Sequence, residues 1–198
     1  MKTGSHVFII AILLLPGFAS ADTPLIRTTV ADSSRVAFIA QTPLSWETVE
    51  HDSLDFIRFM DSPLTDSVGY PELPMITCLI ALPDSVTPDL EFAWAGKQEF
   101  HVDPVYPSPV LYLDTATCTA SVADSFYQDS TAYASSAFWP QDMVRVIGET
   151  RLCGQRLIQV QLFPARYRAL CRTLVTVASI SASLSFDSSE AVWNSTGL

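Results

Sequence analysis

The stretch Arg172-Thr-Leu-Val-Thr-Val-Ala-Ser-Ile-Ser-Ala-Ser-Leu-Ser-Phe186 alternates apolar and hydroxyl side chains. In an extended chain Leu174, Ala178, Ile180, Ala182, Leu184 and Phe186 share one face, and Thr173, Ser179, Ser181, Ser183 and Ser185 share the other. That period of two predicts a half-buried antiparallel strand. Its expected partner is Arg156 to Phe163, with Pro164 to Leu170 turning the chain between them into a hairpin of two long strands.

The same reading extends upstream. Met75 to Leu82 is apolar on both faces between Pro74 and Pro83, which predicts a strand buried in the centre of a sandwich, capped by residues that cannot extend a ladder. Leu90 to Trp94 alternates again and Gly96 turns the chain toward Glu99 to Val102, while Val30 to Gln41 and Leu54 to Met60 are further strand candidates. Gly148 and Gly154 fit strand ends or bulges. Asp-Ser dipeptides such as Asp32-Ser33, Asp84-Ser85, Asp129-Ser130 and Asp187-Ser188 mark turns, because both side chains bond to backbone amides a residue or two onward. No stretch carries helical start and stop signals. The expected fold is all-β, an antiparallel two-sheet β-sandwich of jelly-roll-like type. Ala123 to Asp142, polar and aromatic with little alternation, is expected to be a long functional loop.

Residues 1–21 read as a signal peptide, with Lys2 in the n-region, Val7 to Leu15 as the apolar core and Ala19-Ser20-Ala21 as the cleavage motif. Residues 22–198 are then expected to form one exported domain that is secreted, periplasmic or at the cell surface, with no membrane span after signal removal. The formal net charge of −10 argues against nucleic acid and anionic lipid as partners. Cys78, Cys118, Cys153 and Cys171 are too widely spaced for a metal motif, and their pairing is not legible.

No reaction chemistry emerges from the sequence. His51 and His101 belong to no motif that would pair either with a nucleophile, and the carboxylates fall mostly in Asp-Ser turns. There is no zinc pattern, calcium loop or glycine-rich phosphate loop, so the expectation is no catalytic residue, no metal and no cofactor.

Gly69-Tyr70-Pro71-Glu72-Leu73-Pro74, followed by an apolar strand and Pro83, resembles the opening motif of the gingipain-type cysteine peptidase propeptides. Val105-Tyr106-Pro107-Ser108-Pro109 is similar to the family's Pro-rich segment, and Phe138-Trp139-Pro140 to its aromatic-Pro step. Gly154-Gln155-Arg156 resembles its Gly-x-Arg turn, and Pro164-Ala165-Arg166-Tyr167 its Pro-x-x-Tyr turn. The likeness is best from residue 69 to residue 186. It implies a β-sandwich that helps a cysteine peptidase domain to fold and occludes its cleft until removed. The partner would be that peptidase domain, in cis if the sequence ending at Leu198 is the front of a longer precursor and in trans otherwise. Tyr127, Tyr133, Phe138 and Trp139 are the expected peptidase-contacting residues. Gly69, Pro71, Leu73, Pro74, Gly154, Arg156, Pro164 and Tyr167 carry the family's structural motifs.

Two departures stand out. No Lys or Arg lies between Lys97 and Arg145, so this loop offers no basic residue to a specificity pocket, and Cys153 replaces the Arg that relatives tend to carry before the turn glycine. A second reading, a secreted adhesive or carbohydrate-binding sandwich, would rest on exposed aromatics such as Trp94 and Trp139.

Overall fold

Asp32 turns the chain sharply. Its Oδ1 accepts from the backbone N–H of Ser34 at 2.8 Å and from the Ser34 hydroxyl at 3.0 Å, and strands form on either side. These are β1 (Leu25–Ala31) and β2 (Arg35–Gln41). The computed structural model describes residues 25–32, 34–42, 47–51, 54–58, 62–114, 119–122, 127–187 and 189. The expected signal peptide, Cys118 and Phe126 lie outside the described residues. Along the chain follow β3 (Glu47–His51), β4 (Leu54–Arg58), β5 (Ile76–Leu82), β6 (Asp89–Ala95), β7 (Gln98–His101), β8 (Leu111–Asp114) and β9 (Thr119–Val122). After a one-turn helix α1 (Ser130–Tyr133) come β10 (Val144–Leu152), β11 (Gln155–Leu162), β12 (Ala165–Arg168), a 3-10 turn (Ala169–Cys171), β13 (Thr173–Thr176) and β14 (Ser179–Ser185).

The described residues are mostly β, and their strands pair antiparallel in several sheets, β1-β2-β14-β6, β10-β11-β5, β12-β13-β7, β3-β4 and β8-β9. The serine-faced segment has the predicted sidedness, with Ile180, Ala182 and Leu184 buried. Its extent and partner differ from expectation. The segment breaks at Val177-Ala178, so that β13 joins β12 and β7 while β14 lies between β2 and β6. Arg156 to Phe163 pairs instead with β5 and β10.

Two backbone bonds hold the break: Val177 N–H donates to Pro164 O at 3.0 Å, and Ala178 N–H to Ala95 O at 2.9 Å. Gly96 makes it possible. Its φ of +69° suits glycine, and a Cβ there would collide with the Ala178 methyl. The residue signal was present in Leu174, Val175, Thr176 and Val177, all four buried, a run that cannot alternate.

β5, expected to be buried on both faces, is buried on one through Ile76, Cys78, Ile80 and Leu82, while Thr77, Leu79 and Ala81 on the other are half-buried; it is an edge strand of its sheet. Gly154 follows Cys153 in the two-residue turn between β10 and β11, both at positive φ, and the ladder shifts register just before Gly148.

One core draws on β2, β5, β11 and β14 through Phe38, Ile80, Val160, Leu162, Ile180 and Leu184. A second core gathers Ile57, Leu73, Val102, Val105, Ala165, Tyr167 and Leu174. Arg156 secures the first. Its guanidinium grips Glu149 at 2.6 and 2.9 Å and donates to Val86 O at 2.6 Å and Pro83 O at 3.2 Å, tying the β5–β6 connection to β11. That is the structural work of the Gly-x-Arg turn.

Replacing Gly96 with Ala should destabilise the protein by about 3 kcal/mol, combining a left-handed backbone with a core collision. Urea denaturation measures it, and a loss below about 0.5 kcal/mol would show that the bend tolerates a side chain.

Candidate functional site

The second core underlies the segment expected to be a loop, and it fixes that segment in place. Gly69 N–H donates to Ser108 O at 2.9 Å, Ser108 N–H to Tyr70 O at 2.7 Å, and Glu72 N–H to Tyr106 O at 2.8 Å. The Gly69–Pro74 motif and the Pro-rich segment therefore lie side by side, bridged at Pro71 and Pro107. Thr65 completes the frame, because its hydroxyl donates to Pro71 O at 3.1 Å and accepts from Leu73 N–H at 3.0 Å. Prolines supply no N–H, so these carbonyl-rich turns need donors from elsewhere.

Residues 127–142 supply them. Asp129 N–H donates to Gly69 O at 3.0 Å, and the Asp129 carboxylate caps α1 through the amides of Thr131 (2.8 Å) and Ala132 (3.0 Å). The Tyr133 hydroxyl donates to Val105 O. Trp139 Nε1 donates to Pro71 O at 3.1 Å, and its ring lies 4.5 Å from that of Tyr70, tilted by 48°. Trp139 and Tyr167 exchange both backbone bonds, at 2.8 and 2.7 Å, so the aromatic-Pro step pairs with β12. The Trp139-Pro140 peptide is cis. What the sequence suggested to be a free loop is, over its described residues, stitched to three other segments.

The structure thus brings together Gly69, Pro71, Leu73, Tyr127, Tyr133, Trp139 and Tyr167. Leu73 and Tyr167 are fully buried, and Tyr133 and Trp139 are half-buried with their polar atoms satisfied inside the domain. Tyr127 is 51% exposed and covers Gly69, where a Cβ would come within 2.5 Å of its ring. Phe138 faces the opposite way and carries the guanidinium carbons of Arg168 and Arg166 at 4.2 and 4.9 Å from its ring centre. Pro74 and Pro164 are buried beside the two cores. Gly154 and Arg156 belong to the other end of the β10–β11 hairpin and take no part here. Trp94, on edge strand β6, is 48% exposed next to Phe92.

Sequence reasoning did not single out Glu72, Arg166 or Arg168 for function. Burial pushes the Glu72 carboxyl up to about 7 against the opposing charge of Arg58. Burial also raises the Tyr133 hydroxyl, with the Tyr167 and Glu72 charges adding to it, which keeps Tyr133 a donor to Val105. Cys78 is buried and its thiol is pushed up to about 12 by desolvation, whereas Cys153 and Cys171 are exposed thiols. Among the described residues no three His, Cys, Asp or Glu side chains gather as a metal site.

A family model described as Propeptide_C25 matches residues 31–196. Among solved structures, the chain is similar to the complex of Porphyromonas gingivalis RgpB pro- and mature domains. The TM-score is 0.70 at 18% identity, covering 89% of this chain and 90% of that one. It is also similar to a structure addressing the zymogenic latency of gingipain K from Porphyromonas gingivalis, with TM-score 0.65, 20% identity and coverage of 85% and 96%. At these identities the likeness speaks for the fold. No curated protein matched in sequence.

Because Glu72 binds its proton more tightly when folded, its contribution is greatest below the unfolded value of 4.5 and is lost as pH rises to about 7. Wild type should lose roughly 1–2 kcal/mol across that window, the full shift being discounted for the part of the carboxylate left in water. Glu72→Gln should flatten the dependence, as followed by denaturation at each pH. Trp139→Phe should cost about 0.5–1.5 kcal/mol, because Pro71 O loses one of its two donors and keeps the Thr65 hydroxyl. An unchanged urea midpoint would mean that water replaces the indole.

Proposed function

Since the chain belongs to the Propeptide_C25 family of gingipain-type cysteine peptidase propeptides, we propose that it is the latency-keeping propeptide domain of an exported gingipain-like peptidase. In this reading it is not itself catalytic. It templates folding of the peptidase and then occludes the catalytic cleft. The family match over residues 31–196 is the observation that carries the reading. The partner is the cognate peptidase domain, in cis within one precursor or in trans as a separate chain.

The physical requirement is a surface that does not have to be ordered on binding. A stable inhibitory interface buries on the order of 1,600 Å², and every side chain frozen at that moment subtracts from affinity. The backbone bonds of Trp139, Tyr133 and Asp129 supply that preorganisation beforehand. Tyr133 and Trp139 then act as the support, while Tyr127 and Phe138, which keep exposed area, make the contact. The sheets β1-β2-β14-β6 and β10-β11-β5, which share one core, are the two layers of the sandwich in this account. The absence of Lys and Arg between Lys97 and Arg145 points to a peptidase that does not require a basic residue in its specificity pocket. Residues 1–21 direct export, and 22–198 form the domain.

Adding the whole chain to a gingipain-like cysteine peptidase from the same organism should slow peptide hydrolysis at about micromolar concentration. It should also raise the yield of active peptidase on refolding. An unchanged hydrolysis rate at about 10 μM would remove the inhibitory role.

A further inference from the structure

The chain is acidic, with a formal net charge of −10, yet two neighbouring arginines on one strand stand outside the ion pairs of the described residues. Among the described residues Lys97 pairs with Glu99, Arg151 with Asp84, Arg156 with Glu149 and Arg172 with Asp103. Arg166 and Arg168 are in no such pair, and of the arginines outside these pairs they alone leave a buried Nε without a hydrogen bond among the described residues. They stand two residues apart on β12, on the face opposite the buried Tyr167, and both lie over the ring of Phe138.

This arrangement carries an unmet cost in the free domain. Desolvation lowers the Arg166 pKa, Asp142 pulls it the other way, and repulsion from Arg168 lowers it further. The Nε of each guanidinium is buried with no hydrogen-bond partner among the described residues, while Arg166 Nη1 donates to Gln141 O at 2.9 Å. Glu99 and His101 lie across β13 on the same face; Lys97 holds Glu99 at 2.6 Å, and the Arg168 charge also acts on that carboxylate without forming an ion pair with it. Stacking on Phe138 fixes both planes but does not replace a counter-ion. What such a fixed pair of forks matches is a carboxylate, which accepts two parallel N–H bonds from one guanidinium.

We propose that Phe138, Arg166 and Arg168 form a carboxylate-docking patch through which this chain grips Asp or Glu side chains on the surface of the peptidase domain it accompanies. The inference rests on the propeptide reading and adds its electrostatic half. Phe138 therefore acts as the platform that holds the two guanidinium planes, and the partner's complementary feature is acidic.

The test uses the full chain and the cognate peptidase, with inhibition constants measured from low to high NaCl. Arg168→Gln should weaken inhibition at least about tenfold at low salt, and Arg166→Gln/Arg168→Gln further. The double variant should lose most of the salt dependence that wild type shows, while Arg168→Lys should recover part of the affinity. A thermal midpoint equal to or above wild type in the double variant separates a docking role from a structural one. Wild-type inhibition that the double variant keeps within twofold, or loses equally at all salt concentrations, overturns the patch alone. A wild-type chain with no affinity for the peptidase removes both this patch and the propeptide reading.

Discussion

The reciprocal backbone pair between Trp139 and Tyr167 governs the arrangement around it. A proline-rich segment has many carbonyls and few donors, and Pro71, Pro74, Pro107 and Pro109 leave Gly69–Pro74 and Val105–Pro109 short of N–H groups. Residues 127–142 meet that need with Asp129 N–H, the Tyr133 hydroxyl and Trp139 Nε1. Buried carbonyls left without donors cost about 1–3 kcal/mol each, so the segment cannot lift away cheaply. The second core, with Leu73 and Tyr167 fully buried, holds the platform beneath it.

This coupling explains why the sequence was informative about some features and silent about others. Strand faces were legible because burial follows a period of two, and Ile180, Ala182 and Leu184 fell where the alternation placed them. Asp-Ser turns were legible because their bonds are local: Asp32 and Asp187 each hold the backbone two residues on. Pairing was not legible, since it depends on groups far apart in sequence. The change of sheet at Val177-Ala178 needs Gly96 and Pro164, and neither is announced by the strand itself. The character of residues 127–142 was missed for the same reason, because its donors answer acceptors some sixty residues upstream, as Trp139 Nε1 answers Pro71 O. The family motifs identified Gly69, Pro71 and Trp139, and the structure supplies their reason.

Two kinds of residue follow from the geometry. Tyr133 and Trp139 spend their polar atoms inside the domain, so they define the shape of the surface more than they meet a partner. Phe138, Arg166 and Arg168 have the opposite character, with cations unpaired among the described residues and donors unsatisfied. In the proposed reading, the rigid support removes the ordering cost of binding a peptidase, and the charge pair directs which partner is bound.

Hydrogen–deuterium exchange of the free chain tests most directly whether residues 127–142 are pinned before any peptidase is present. The amides of Asp129, Trp139 and Tyr167 should exchange nearly as slowly as that of Ile180 in the central strand β14, reporting an opening close to global unfolding. Exchange of Trp139 and Tyr167 at the rate of an unstructured peptide, with Ile180 still protected, would contradict the account.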